Sequence, residues 1–419
     1  MEPPPPFVLR NVLLPSGRIA DITMEKGVVT HVGSSAASLP GTDCSGLVVI
    51  PAAVDMHVHM RGGSQSRKED WDSGSRSAVA GGVTVVVDQP NTLPPLSSPD
   101  PFFQRVQDAK EHSWCHFAIN SAVTAEVPFD AMWEAGALAF GETFFAPSSY
   151  GDAIGGGALQ LALDRVHALG GIMTIHAEEI SAGPDTGMES HNAARSVAGE
   201  VRAVEAVGRL NTAGCRLHFC HLSAAGAIAA ATGSTEVTPH HLLLSQERFA
   251  DQDSRGKVNP PVRPESVRRA LAGCWNRIDV IASDHAPHTV AEKSRDFADA
   301  PSGVPGVETM VPLLLARVLA GKITLASVIE KTSLAPAAIL GIPRAGFAPG
   351  DRADFAVYGK KPERISPEML HSRCGWTPFE GFDAVFPGLV VMGGEIVFRD
   401  GEFSRGSPVW FAGRGFCPR

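Results

Sequence analysis

Short apolar runs that end in histidine or aspartate recur through the middle of this chain, and they limit its fold more than any other feature. Leu47-Val-Val-Ile-Pro-Ala-Ala-Val54 leads into Asp55-Met-His-Val-His-Met-Arg61. Ile172-Met-Thr-Ile ends at His176, Leu217-His-Phe-Cys at His221, and Val280-Ile-Ala-Ser at Asp284. Residues i and i+2 of a strand share a face, so His57 and His59 emerge side by side where their strand stops. Thr84–Asp88, His116–Asn120 and Glu236–Thr238 are further strand candidates. Segments of helical period lie between the runs: Ala158–His167, Ala193–Leu210 and Val267–Cys274. Alternating strands and helices predict a parallel α/β architecture, and the length suits a (β/α)8 TIM-like barrel over residues 51–345. A doubly wound open sheet is the alternative, but no glycine-rich nucleotide fingerprint follows the first strand.

The two ends have another texture. Phe7–Leu14, Ile19–Thr23 and Val28–Val32 read as strands separated by tight turns, as do Asp354–Tyr358, Leu389–Met392 and Glu395–Phe398. Residues 1–50 and 346–419 are therefore expected to pair into one small β domain. Hydrophobic residues make up 44% of the 419, enough for a large core, and the net charge of -9 without a basic run argues against nucleic acid and anionic membranes. Seven dispersed cysteines without a C-x-x-C fit a reducing compartment. Met1-Glu-Pro-Pro-Pro-Pro-Phe7 is no signal sequence, so a cytoplasmic location is expected.

In such a barrel the active site lies at the C-terminal ends of the strands. His57, His59, His176, His221 and Asp284 would converge there. Imidazole and carboxylate suit zinc, and a pair of ions needs about this many donors. His57, His59 and Asp284 are expected to hold one ion, and His176 with His221 the second. Asp284 would also take a proton from activated water and pass it to a leaving nitrogen.

Taken together, these motifs resemble the cyclic amidohydrolases of the amidohydrolase superfamily, its dihydroorotase branch above all. The resemblance runs over nearly the whole chain. It includes Lys68-Glu-Asp-Trp71, Ala80-Gly-Gly-Val-Thr84, Gln89-Pro-Asn-Thr-Leu-Pro94, Ile175-His-Ala-Glu178 and Cys220-His-Leu-Ser223. It continues through Thr238-Pro-His-His241, Lys257-Val-Asn-Pro-Pro-Val-Arg263, Ser283-Asp-His-Ala-Pro-His288 and Gly303-Val-Pro-Gly-Val-Glu308. It implies a metal-bearing barrel, a flanking β-sandwich built from both chain ends, a small-molecule substrate and a homo-oligomer. The implied reaction is reversible hydrolysis of L-dihydroorotate to N-carbamoyl-L-aspartate in pyrimidine biosynthesis.

Arg61 bears on the substrate, because a guanidinium grips a carboxylate in a bidentate way. The alternative for Arg61 is an ion pair with Glu69 or Asp70. The resemblance places Asn91 and His288 beside Arg61 at the carboxylate, and Asn259 at the ring amide. His240 and His241 stay open between structural and ligand roles, and His285 is expected to orient its loop. Many relatives bridge their metals with a carbamylated lysine. The corresponding stretch here, Gly136-Ala-Leu-Ala-Phe-Gly-Glu-Thr-Phe-Phe145, has no lysine. Glu142 is the candidate bridge. A second departure is Gly62-Gly63 where Pro-Gly is usual. Another cyclic amidase, acting on hydantoin, dihydropyrimidine or allantoin, and a non-catalytic homologue serving as an assembly partner are the rival readings. The Gly- and Ser-rich segment Pro147–Gly157 is a candidate closing loop.

Overall fold

The computed structural model describes residues 6–145 and 154–418, so 147–153 of the candidate closing loop lie outside the described residues. Its first lesson is that the apolar run after Leu47 serves two sheets. Val48–Pro51 pairs antiparallel with Phe355–Tyr358. Ala53–Val58 pairs parallel with Val83–Asp88. The break falls at Ala52, whose N–H donates to Asp354 O at 3.0 Å, whereas the next N–H, of Ala53, donates to Gly82 O at 3.0 Å.

Eight parallel strands follow: Ala53–Val58, Val83–Asp88, His116–Ile119, Phe140–Phe144, Ile172–His176, Arg216–Phe219, Ser234–Val237 and Val280–Ile281. The first three form one ladder and the last five another. Parallel bridges Ser121–Phe140 and Val58–His285 join the two arcs, which makes the (β/α)8 ring. Ala53–Val58, Val83–Asp88 and Ile172–His176 are buried along their whole length, as a parallel sheet covered on both faces requires. The outer cover is helical. Val79, Phe102, Val106, Leu163 and Val207, each on a helix, share a core with Phe117, Phe140 and Phe219 of the strands.

Capping explains where the helices stop. The expected single helix over 193–210 is two, Met188–Ala194 and Val197–Leu210. The Ser196 side chain accepts from Gly199 N and starts the second helix, which leaves Arg195 at the junction.

Both chain ends build the sandwich. A four-stranded sheet from Phe7–Leu13, Ile19–Glu25, Val28–Gly33 and Gly41–Asp43 faces a five-stranded sheet that includes Val48–Pro51, Phe355–Tyr358 and Pro387–Met392. Leu9, Ile22, Met24, Phe355, Leu389 and Val391 fill the space between them. Other parts of the C-terminal region return to the barrel. Ile365, Trp376 and Phe379 pack with Val258, Phe297 and Leu313. Phe117 N donates to Val409 O at 3.0 Å and Phe411 N to Phe117 O at 2.8 Å, so the tail extends the edge of the third barrel strand. Among the described residues no helix is long and apolar enough to cross a membrane.

Candidate metal centre

The C-terminal ends of the barrel strands surround a cavity of about 350 Å³ lined by His59, Arg61, Asn91, Glu142, His176, His221, Asn259, Asp284 and His288 among others. His57 lies just beneath it, 0% exposed. The fold thus brings together every residue expected at the site from the sequence. His176 closes its strand, His59 follows its own by one residue, and His221 lies two beyond Phe219.

Backbone conformation aims several of them. Arg61 (φ 47°), His221 (φ 35°) and Asp284 (φ 47°) adopt the left-handed region. Residues other than glycine, asparagine and aspartate pay a steric cost there, and such residues concentrate at functional sites. Glu142 is aimed by its neighbour. Gly141 has φ 127°, and a Cβ on it would sit 2.2 Å from Thr174 O.

Nitrogen and carboxylate donors converge. Glu142 Oε1 lies 2.9 Å from His176 Nδ1 and 2.8 Å from His221 Nε2, and its Oε2 lies 3.6 Å from His57 Nε2. Asp284 Oδ1 lies 3.2 Å from His59 Nε2 and 3.6 Å from His57 Nε2. Three overlapping sets therefore have their donor atoms within 4.8 Å of one another: His57 with Glu142 and His221, His57 with His59 and Asp284, and His57 with Cys220 and Glu236. Glu142 thus stands against His57, His176 and His221 together.

The outer nitrogen of three of these rings is tied back to the protein. His57 Nδ1 donates to Glu236 Oε1 at 3.1 Å, His59 Nδ1 to Asn91 Oδ1 at 2.6 Å, and His176 Nε2 to Glu178 Oε2 at 3.0 Å. That pattern leaves the inner nitrogens as lone-pair donors, the arrangement of metal-ligating histidine. His57 Nε2 is buried and has no hydrogen-bond partner among the described residues. An unpaired buried nitrogen costs free energy unless something binds it. The residues present therefore fit a metal centre.

Electrostatics agree. Burial would raise Glu142, but His57, His176 and His221 hold it well below the usual carboxylate range. Burial would likewise raise Asp284, yet His59, His57 and His221 hold it low. Burial would lower His176, but its bonds to Glu142 and Glu178 carry it up to about 9. His57 also stays well above the ordinary imidazole value, because Glu236 and Glu142 outweigh its burial. The buried carboxylates thus draw positive charge into the cluster, as protons or as metal ions.

Arg61 is 9% exposed, and among the described residues no carboxylate pairs with it directly, although Asp284, Asp88 and Glu292 act on it from farther off. Glu69 instead binds Ser73 and Ser372, and Asp70 caps a helix. Burial lowers Arg61 to about 10, still charged at neutral pH. Arg105 donates to Arg61 O at 2.6 Å and pairs with Asp88 at 2.8 Å, which fixes the backbone carrying it. Asn91 lines the same cavity, with its Oδ1 committed to His59. Asn259 Oδ1 accepts from Ser302 Oγ at 3.1 Å.

His241 is a structural residue, held by Thr238 Oγ1 at 2.9 Å and Pro260 O at 3.0 Å. The His240 ring lies 4.4 Å from it, tilted by 56°, and neither lines the cavity. His285 orders its loop, since Gly306 N donates to its Nδ1 at 3.1 Å. Four partners carried no assigned role from the sequence. Glu236 holds His57 and His218, Glu178 joins His176 to Arg195, and Lys68 touches His288. A glutamate inside the short barrel strand Ser234–Val237 was the available signal for Glu236.

Residues 48–396 match the model of the amidohydrolase family. The chain is 38% identical to the dihydroorotase of Methanosarcina acetivorans, over 93% of this chain and 92% of that protein. It is 38% identical to the dihydroorotase of Halobacterium salinarum, over 94% of this chain and 97% of that one. Among solved structures, L-hydantoinase (dihydropyrimidinase) from Arthrobacter aurescens superposes with a TM-score of 0.89 at 24% identity, covering 96% of this chain and 99% of its own. Dihydropyrimidinase from Brevibacillus agri gives 0.88 at 21%, covering 99% and 100%. At those identities the two structures establish the shared fold.

Proposed function

The chain belongs to the amidohydrolase family, and from that premise we propose that it is a dihydroorotase, opening the ring of L-dihydroorotate to N-carbamoyl-L-aspartate and closing it in reverse. The observation that carries the choice of substrate is Arg61, a buried and charged guanidinium in the cavity without a carboxylate partner among the described residues. A buried charge of that kind calls for an anion, and dihydroorotate supplies a carboxylate. A neutral hydantoin or dihydropyrimidine ring does not.

His57, His59 and Asp284 would hold one zinc ion, His176 and His221 a second, with Glu142 shared between them. Bound there, the ions would polarise the amide carbonyl and lower the pKa of water. The remaining work belongs to the chain. Arg61, with the Asn91 amide and His288, holds the carboxylate and so turns the scissile amide toward the histidines. Asn259 meets the ring amide. Asp284 is a carboxylate at neutral pH and lies on the cavity wall, so it accepts the proton of the attacking water and delivers it to the ring nitrogen as the C–N bond breaks. In ring closure the same oxygen removes the proton from the ureido nitrogen. The active protein is a homo-oligomer working on a free small molecule.

The test is hydrolysis of L-dihydroorotate by zinc-loaded protein, with Arg61→Met beside it. We expect Arg61→Met to lower kcat/KM by about a hundredfold, the worth of a charge-assisted pair. Turnover of neutral cyclic amides should not fall with it. Absence of dihydroorotate turnover by wild-type protein with metal bound would end this reading.

A further inference from the structure

Besides Arg61 and Arg195, the cavity wall carries Lys68. Lys68 is 8% exposed, and its Nζ lies 3.1 Å from His288 Nδ1 and 3.2 Å from Glu292 Oε1. Glu292 is itself held, accepting from Thr289 N at 3.1 Å and from Arg67 at 2.8 Å. An ammonium can only donate. His288 Nδ1 must therefore accept, which leaves the ring proton on Nε2. That nitrogen lies 3.0 Å from Ser302 O, an acceptor, and 3.4 Å from Arg61, a donor. The Nε2 proton is donated to Ser302 O, 3.4 Å from the Arg61 guanidinium, so an anion seated on Arg61 would share that proton or replace Ser302 O as its acceptor.

We propose that Lys68 is a positioning residue of the carboxylate subsite, fixing His288 as the neutral imidazole with its proton on Nε2 so that it and Arg61 present paired donors to the substrate anion. This rests on the dihydroorotase reading, in which His288 and Arg61 hold that anion. The charged groups facing His288 are Arg61 and Lys68 from the loops after the first barrel strand, and Glu292 (3.9 Å) and Lys293 from the short helix Val290–Lys293. Burial first, then Arg61, Lys68 and Lys293, hold His288 well below the ordinary imidazole range. A lysine that merely paired with Glu292 would have no reason to meet the acceptor nitrogen of a ring in the cavity.

Removing the ammonium frees Nδ1. The ring can then carry its proton on the wrong nitrogen. The experiment compares zinc-loaded wild type with Lys68→Met and Lys68→Arg, with His288→Gln used to assign the His288 nitrogen signals. In wild type, nitrogen NMR should show Nδ1 as the unprotonated and Nε2 as the protonated ring nitrogen. Lys68→Met should lose that pattern. It should raise KM for dihydroorotate about tenfold or more, the worth of a charged hydrogen bond, with little change in kcat. Lys68→Arg, which keeps a donor, should recover part of the loss.

A protonated Nδ1 in the wild type overturns the proposal, and so does a Lys68→Met variant whose KM equals that of the wild type. If Lys68→Met does not fold, the wild-type nitrogen signals decide alone. The expected signals together with a wild type that does not turn over dihydroorotate would sink the substrate assignment and leave the positioning role of Lys68 standing.

Discussion

Glu236 shows how much of the centre depends on a residue that touches no cavity. It accepts from His57 Nδ1 at 3.1 Å, from His218 Nε2 at 3.1 Å and from His221 N at 3.0 Å. It thereby orients two of the expected metal ligands at once. Groups of this kind typically change metal affinity by about 10–100-fold when removed. Glu236→Ala is expected to weaken zinc binding by that amount, read by competition with a chelator of known affinity. Unchanged affinity would show that the His57 ring is held by packing alone. Glu142 sits at the opposite extreme, with its oxygens against three imidazoles. Glu142→Ala is expected to reduce bound zinc from about two to about one per chain, because a second ion needs a shared carboxylate. Elemental analysis checks this, and two ions retained in the variant would remove the bridging role. Both residues make the same physical point: a buried carboxylate is stable only beside charge or donors.

At the scale of elements, strand ends were readable and strand interiors were not. His57, His59, His176 and His221 terminate apolar runs, and period-two geometry makes such residues face one point. Glu236 and Glu178 lie within or just after buried strands, where composition suggests only an odd polar residue. The fourth barrel strand, Phe140–Phe144, carries a glycine inside a short apolar pattern, which weakens its strand signal. That glycine is the device which aims Glu142. Arg195 was hidden by a helix boundary, since the periodicity of 193–210 runs straight through the Ser196 cap. The sandwich strands were legible because their turns carry Gly and Asp, yet the sharing of 47–58 between two sheets depends on pairing partners three hundred residues away. Gly141→Ala tests the element-level claim. With φ 127° and a Thr174 O where a Cβ would go, the strand must shift. We expect a loss of about 1–3 kcal/mol in stability together with reduced zinc content. Thermal unfolding and elemental analysis read the two, and a stable variant with full zinc would show that the strand tolerates a side chain there.

The whole molecule is joined where Asp354, fully buried, meets three parts of the chain. It accepts from Thr84 Oγ1 of the second barrel strand at 2.9 Å and from Gly393 N of a sandwich turn at 2.8 Å, and it pairs with Arg352 Nε at 2.8 Å. His116 of the third barrel strand stands 3.6 Å away. Burial would raise this carboxyl, but Arg352 and then His116 hold it well below the ordinary aspartate value. A group whose folded pKa is depressed contributes stability that is fully present above its unfolded pKa, about 3.9, and is lost as the pH falls toward the folded value. Removing Asp354 also leaves Arg352 buried without its partner, which costs about 3–5 kcal/mol. Asp354→Ala should therefore be destabilised by roughly that amount near neutral pH. Its deficit relative to wild type should narrow as the pH drops below about 4, where the wild-type carboxyl begins to lose its advantage. Urea unfolding of both proteins at neutral and acid pH measures this. A deficit that stays constant into acid would mean that Asp354 acts through shape rather than charge. Because the site lies at the opposite ends of these barrel strands, zinc stoichiometry of the folded variant should stay at the wild-type value even as the sandwich loosens from the barrel.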